Sequence, residues 1–370
     1  MQKVLFLIHD LGQGGAEKVL VNLVNNMDIE KFDITVMTLF DVGVNRQFLN
    51  KYIKYKSVFG KMLPGNSHFM KLLSPQAMHQ TLIKEHYDVE VAYLEGPCSR
   101  IISGCKDKDT KLVSWIHIEQ KTKNRVAQGF RSFKEACGCY NKFNQIVCVS
   151  ETVKKDFLSL IPTDVNTGVF YNTNESSKIM ALSFEMVENS LFSNQEIKLV
   201  GVGKLLKSKG FDRILKITKR LRKENYPVHL YILGIGPEET NLKQFVKENG
   251  MNGYVDFLGY QTNPYKYVAR CDLFICASYA EGFSTAATEA LIVGTPVCTV
   301  DVSGMKEMLG EHNEYGIVTA NDEEALYQGI RKMISEPDML VHYKKMAKER
   351  GTSFSTEATV KAVEDMFLLI

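Results

Sequence analysis

The chain has 370 residues, with 45 Lys and Arg against 43 Asp and Glu for a formal charge of +2. That length suits two domains with substantial cores, and no global basic field marks the chain for nucleic acid. Its eight cysteines include no CxxC pair, and several lie inside apolar runs such as "IVCVS" and "LFICAS", which reads as reduced core thiols rather than disulfides or zinc ligands.

The opening "MQKVLFLIHD" holds five consecutive apolar residues, and no stretch approaches ~20, so neither a signal peptide nor a membrane span is expected. The expected location is cytoplasmic, with attachment to a membrane surface left open. Short β-branched and aromatic runs then recur: "VLFLI" (4–8), "ITVMTLF" (34–40), "VEVAYL" (89–94), "LVSWIH" (112–117), "IVCVS" (146–150) and "GVFY" (168–171). The rhythm restarts with "KLVGVG", "VHLYILG", "VDFLG", "LFICAS", "PVCTV" and "GIVTA". Apolar strands alternating with amphipathic segments predict two doubly wound, Rossmann-like α/β domains with parallel sheets. Residues 173–196 are polar and lack the strand pattern, which marks an interdomain connection and sets the domains at 1–172 and 173–354. "FSTEATVKAVEDMFLLI" predicts a final helix over 355–370 that could cross back onto the first domain.

Open α/β sheets bind ligands beyond the carboxyl ends of their strands, so the loops there carry the chemistry. After the first strand, "HDLGQGGAEKVL" places Gly12, Gly14 and Gly15 before a helix. A dinucleotide fingerprint needs a third glycine at position 17, which is Glu17, although Asp41 would suit a ribose. The turn reads either as a close approach of ligand to backbone amides or as a simple strand-to-helix closure. No GxxxxGK[ST] phosphate loop occurs. "VGVGKLLKSKGFD" places Lys204 and Lys209 in one loop, suited to a diphosphate or else simply solvated. "LGIGPEE" adds Gly234 and Gly236 after another strand.

"EGFSTAATE" follows "LFICASYA" and has Glu281, a turn at Gly282 and Phe283, Ser284 as N-cap, Thr285 opening a helix and Glu289 inside it. Amides at such a helix start attract a phosphate, and carboxylates accept hydrogen bonds from sugar hydroxyls. Together they describe a sugar joined to a nucleoside diphosphate.

These motifs, in order, resemble the retaining nucleotide-sugar glycosyltransferases of the GT-B fold, family four, the E-x7-E group that includes bacterial polysaccharide, lipopolysaccharide and phosphatidylinositol mannosyltransferases. The resemblance spans nearly the whole chain and rests on Glu281-x7-Glu289, "GGAE" (14–17), "GKLLKSKGFD" (203–212), "GIGPE" (234–238) and "ALIVGTPV" (290–297). It implies two domains facing a cleft, with the first on the acceptor side and the second holding the donor. It further implies that Glu281 meets donor sugar hydroxyls, Glu289 the ribose, the Phe283 and Ser284 amides the sugar or phosphate, and Lys209 the diphosphate. Lys204 stands where the family usually has Arg, and loses the bidentate fork. Gly14 and Gly15 would line the donor site from the first domain. His117, ending the fourth strand, matches a histidine beside the transferred sugar, and Asn172 an asparagine of the hinge region.

The implied reaction moves a sugar, most simply from a UDP-sugar, to a hydroxyl of a glycan or lipid-linked acceptor with retention, in cell-surface polysaccharide biosynthesis. Neither a cofactor nor an essential metal is expected, and Glu281 is a binding group rather than a nucleophile. The alternatives are a GT-B-like sugar-nucleotide 2-epimerase and, further off, an NAD-dependent oxidoreductase. Asp107-Lys108-Asp109 is a DxD, the metal signature of a different glycosyltransferase fold, yet it precedes a strand and reads as a solvated loop. Acceptor-side candidates are Glu95, Arg100 and Lys121. The last of these opens the basic and aromatic stretch 119–134, which suits anionic lipid, an acceptor pyrophosphate or an ordinary solvated helix face.

Overall fold

Apolar runs without strict alternation suit strands that are covered on both faces. In the computed structural model, which describes residues 1–12, 14–60, 71–187, 192 and 195–370, the strands of the first set are β1 (Gln2–Ile8), β2 (Phe32–Phe40), β3 (Lys54–Phe59), β4 (Val89–Ala92), β5 (Lys111–Ile116), β6 (Gln145–Cys148) and β7 (Asn166–Val169). They form one parallel sheet in the order β3-β2-β1-β4-β5-β6-β7, with Val4 paired to Ile34 on one side and to Val89 on the other. The second set is β8 (Ile197–Val202), β9 (Val228–Leu233), β10 (Val255–Gly259), β11 (Leu273–Cys276), β12 (Val297–Val300) and β13 (Ile317–Thr319), ordered β10-β9-β8-β11-β12-β13 and again parallel.

The chain divides into two compact units, Met1–Thr173 with Thr356–Ile370, and Asn174–Ser355. Both sheets are doubly wound, the Rossmann-like class. Each sheet has a switch point where strand order reverses, between β1 and β4 in the first unit and between β8 and β11 in the second. The crevice beyond such a point is where this class of sheet receives ligands. It lies beside the glycine turn after β1 in one unit, and beside the Lys204–Lys209 and Ser278–Ser284 loops in the other.

Local sequence explains where helices begin. Ser74, Thr122, Ser132 and Ser150 each accept a hydrogen bond from the amide three residues on, at the starts of helices Pro75–Leu82, Lys123–Val126, Phe133–Tyr140 and Glu151–Leu160. The helix Phe211–Lys223 buries Phe211, Ile214, Leu215, Ile217 and Leu221 against the second sheet and leaves its basic residues exposed or half-buried except Arg213, which is buried and donates to Asn321. The C-terminal helix Thr356–Leu369 returns to the first unit. Phe367 packs against Phe6 and Phe32, Glu364 accepts from the Asp28 amide at 2.7 Å, and Gln2 donates to the Phe367 carbonyl at 3.2 Å.

Three expectations need correction. Strand β3, "KYKSVF", is an edge strand with polar residues at half its positions, so a search for apolar runs passes over it. His117 therefore follows the fifth strand rather than the fourth. The segment 173–196 is not all connection: Ser176–Ser183 is a helix docked within the second unit, where Asn263 Nδ2 donates to the Leu182 carbonyl at 2.9 Å and Arg270 to the Ser183 carbonyl at 3.2 Å. Residues 188–191, 193 and 194 of that segment lie outside the described residues, as does residue 13 of the glycine turn.

Candidate active site

In the second unit, three strand ends supply one constellation. The loop after β8 is drawn to its neighbours by backbone bonds, Leu205 N–H to the Ile235 carbonyl at 3.0 Å and Tyr279 N–H to the Ser208 carbonyl at 2.8 Å. Two glycines permit the first of these approaches. A Cβ on Gly234, whose φ is +136°, would lie 1.9 Å from the Gly203 carbonyl oxygen, and one on Gly236 would lie 2.4 Å from that of Leu205. Their physical role is thus loop packing, which leaves them only an indirect part in holding a donor. Gly210 is similar: at φ +67° its missing Cβ clears the Ala277 carbonyl.

That packing carries Lys209 to Glu281. Lys209 Nζ lies 2.6 Å from Glu281 Oε1, and Ser278 Oγ donates to the same oxygen at 2.7 Å. Burial opposes the lysine charge, but the attraction and hydrogen bond of Glu281 outweigh it and hold the ammonium above its ordinary range. The sequence assigned Lys209 to phosphate and Glu281 to sugar hydroxyls as separate groups; the structure joins them in an ion pair. Lys204, by contrast, is exposed and forms no ion pair among the described residues.

Helix Thr285–Ile292 starts beside this pair. Ser284 Oγ accepts from the Ala287 amide at 3.4 Å and the Ser284 carbonyl accepts from Thr288 N–H, so the cap is in place. The amides of Thr285 and Ala286 belong to the first turn and have no intrahelical acceptor. Gly282 and Phe283 are buried. The Phe283 ring packs edge-on to Phe354 at 5.9 Å, and Gly304, at φ +78°, lets the 302–305 turn close onto the Gly282 carbonyl. Glu289 is 6% exposed and receives the Tyr265 hydroxyl at 3.3 Å. Sequence reasoning missed Ser278 and Tyr265. A polar residue ending the apolar run "LFICAS" was the available signal for the first; nothing local marks the second.

In the first unit, Gly14 is the N-cap of helix Gly15–Asn26, and a Cβ there would overlap the Glu17 carboxylate. Gly12 N–H is held by Asp10 Oδ1 at 2.7 Å, and the Asn45 side chain donates to the Gly12 carbonyl. Asp41, the candidate ribose acid of a dinucleotide site, is taken by Arg46 at 2.7 Å and by the Tyr55 hydroxyl at 2.8 Å.

Beyond β4 and β5, the His117 amide donates to Glu95 Oε2 at 3.1 Å, and the imidazole packs at a tilt against Tyr93 with centroids 4.9 Å apart. Burial pushes the imidazole down to about 4, against a weaker contact with the Tyr93 backbone that raises it. His117 is thereby neutral at physiological pH, and its Nε2 is buried without a partner among the described residues. Burial likewise raises the Glu95 carboxyl. Asn172 is buried as well. The Lys121 side chain is exposed while its backbone, at φ +59°, donates to Asp156.

Arg100 does not stand with this group. It is 1% exposed, its Nε and Nη2 donate to the two oxygens of Glu135 at 3.0 Å, and Nη2 also donates to the Leu73 carbonyl at 2.7 Å. It is an internal brace rather than an acceptor contact. Arg100→Ala is expected to destabilise the chain by about 2–4 kcal/mol, since Glu135 keeps only the Arg131 amide and the Leu73 carbonyl loses its donor, read by thermal or urea unfolding; unchanged stability with weakened acceptor binding would return it to the acceptor side. The 119–134 stretch is also not one amphipathic helix. It breaks into Lys123–Val126, a short 3-10 turn and Phe133–Tyr140, and buries Val126 and Phe130. The DxD is a surface turn in which Asp107 accepts from the Asp109 amide at 3.0 Å and pairs with His86 at 2.9 Å.

Two doubly wound parallel-sheet units, each with its polar loops at a switch point, define the GT-B class of fold. Residues 184–350 match the family model described as glycosyl transferases group 1. A Campylobacter jejuni N-acetylgalactosamine-N,N'-diacetylbacillosaminyl-diphospho-undecaprenol 4-alpha-N-acetylgalactosaminyltransferase is 26% identical over 96% of both chains. The lipopolysaccharide core biosynthesis glycosyltransferase LpsD of Rhizobium meliloti is 28% identical over 97% of this chain and 96% of its own. Among solved structures, Anabaena HepE in complex with UDP and glucose superposes with a TM-score of 0.81 at 18% identity, covering both chains fully. The chain has the GT-B fold, its second unit carries the group 1 match, and over nearly its whole length it is similar to glycosyltransferases. Among the described residues, no helix is long and apolar enough to cross a membrane.

Proposed function

We propose that the protein transfers a sugar from a UDP-sugar to a hydroxyl of a lipid-linked or polysaccharide acceptor, with retention at the anomeric carbon and without an essential metal. The observation that carries this is the helix start at Thr285 standing beside the Lys209–Glu281 pair and the buried Glu289. Amides and an ammonium suit the diphosphate, and carboxylates suit hydroxyls on either side of it. UDP in the HepE complex and the diphospho-undecaprenol acceptor in the name of the Campylobacter relative support the choice of donor and acceptor classes.

In this reading Lys209 and the Thr285 and Ala286 amides stabilise the departing diphosphate. Glu281 receives sugar hydroxyls through the carboxylate that also orients Lys209, and Glu289 receives the ribose. His117, neutral and with Nε2 unpartnered among the described residues, accepts a hydroxyl of the transferred sugar. The acceptor hydroxyl attacks from the face the leaving group departs, its proton passing to a phosphate oxygen, which retains configuration without a protein nucleophile. Gly14 and Gly15 keep the first-unit turn free of side chains, and Glu95 and Lys121 serve the acceptor side. The enzyme works in the cytoplasm, and meets the membrane peripherally where its acceptor is lipid-linked.

The test is a melting-shift panel of UDP, GDP and ADP with a chelator present. UDP is expected to raise the melting temperature most, and Glu289→Ala to weaken UDP binding by about 10-fold or more, the loss of a hydrogen bond to a charged group. No shift with any of the three nucleotides would remove the donor-site reading.

A further inference from the structure

The first unit holds a second cluster that the transfer reaction does not use. Strand β4 reads "VEVA", and among its apolar neighbours Glu90 is 2% exposed. A carboxylate is costly at such depth unless it is paired. Its partner is His79 on helix Pro75–Leu82, whose Nε2 lies 2.7 Å from Glu90 Oε2. A buried ion pair would need nothing more, yet a third group reaches the same point. The chain leaving helix Pro97–Ile102 brings Cys105, so that one nitrogen, one sulfur and one oxygen all lie within 4.8 Å of one another.

We propose that His79, Glu90 and Cys105 form a zinc site that braces the first unit. A tetrahedral zinc ion with ligands at about 2.0–2.3 Å spaces them about 3.3–3.8 Å apart, so the His79–Glu90 contact opens slightly and Cys105 moves in by about an ångström. One imidazole, one thiolate and one carboxylate are a borderline-soft set that favours zinc over magnesium or calcium. Three protein ligands leave the fourth position for water, and His79 and Cys105 are both only partly buried. Binding releases the thiol proton and the proton shared by His79 and Glu90 to solvent.

The site stands apart from the transfer chemistry. Glu90 lies in the amino-terminal half of β4, whereas Glu95 and His117 follow the carboxyl ends of β4 and β5. What zinc would join is a helix, a central strand and a loop from separate parts of the chain, on the same helix layer that Arg100 ties through the Leu73 carbonyl. Sequence spacing did not show it, because the ligands stand 11 and 15 residues apart on three different elements.

The test is metal analysis of the full-length protein after incubation with zinc and extensive dialysis, together with cobalt substitution. The wild type is expected to retain one zinc per chain, to melt higher with zinc than after chelation, and with Co²⁺ to show a thiolate charge-transfer band and a tetrahedral ligand-field spectrum. Cys105→Ser is expected to abolish the charge-transfer band and lower zinc affinity by at least ~10-fold. His86→Ala, which removes the neighbouring His86–Asp107 pair, is expected to keep the zinc. His79→Gln risks misfolding by stranding Glu90, so Cys105, which forms no part of that buried pair, carries the decision. A wild type that holds no zinc, or Cys105→Ser holding as much as the wild type, overturns the proposal.

Discussion

Lys209→Ala is expected to lower kcat for glycosyl transfer by about 10²- to 10³-fold, the usual loss when one preorganised positive group is removed from a developing anion. The lysine is partly buried, so its charge acts in a medium less screening than water. Glu281 and the loop bonds to Leu205 and Ser208 hold it in place before any donor arrives. Preorganisation is the point, since a group already oriented need not reorganise as the diphosphate departs. Lys209→Arg is expected to recover part of the rate, and Lys204→Ala to affect donor KM more than kcat, because Lys204 is solvated and unanchored. Circular dichroism separates lost chemistry from lost fold. Steady-state assays showing Lys209→Ala within a few-fold of wild type would end its role at the leaving group.

His117→Ala is expected to reduce transfer by about 10- to 100-fold while UDP binding is retained. The lost interaction is one buried hydrogen bond to the sugar, of order 1.5–3 kcal/mol where charge develops. The same residue imposes a pH signature on stability. Its imidazole is held near 4 when folded and titrates near 6.5 when unfolded, so between these values the unfolded chain binds more protons. Stability from this group is therefore fully present above about pH 6.5 and is lost as pH falls toward 4. The loss amounts to about 3 kcal/mol over that window. His117→Asn is expected to flatten this acid limb in urea unfolding measured between pH 4 and 7. An equally steep limb in that variant would place the titration elsewhere. Since His117 stays neutral above pH 5, its own ionisation contributes no inflection to kcat/KM near neutrality.

Much of the fold was legible because parallel strands under helices on both faces carry apolar runs, and twelve of the thirteen strands held or adjoined such a run. The edge strand Lys54–Phe59 did not, since an edge has a solvated side and carries lysines. In the site, "EGFSTAATE" was readable as a capped helix start because N-cap chemistry is local. Arg100 misled for the opposite reason: a charged residue just beyond a strand looks available, and only the distant Glu135 and Leu73 reveal that its hydrogen-bonding capacity is spent inside. Gly234 and Gly236 misled in kind, because a glycine after a strand marks a close approach without saying whether ligand or backbone is what approaches.

The sequence by itself determined the two doubly wound halves, their helix starts and the loops where polar chemistry gathers, since strand period, apolar runs and caps depend on neighbours a few residues away. Only the tertiary structure decided that Lys209 is bound to Glu281, 72 positions away in the chain, that His117 is buried and neutral, and that His79, Glu90 and Cys105 meet. Those outcomes depend on desolvation and on distances between remote segments, quantities that come into existence when the sheets form.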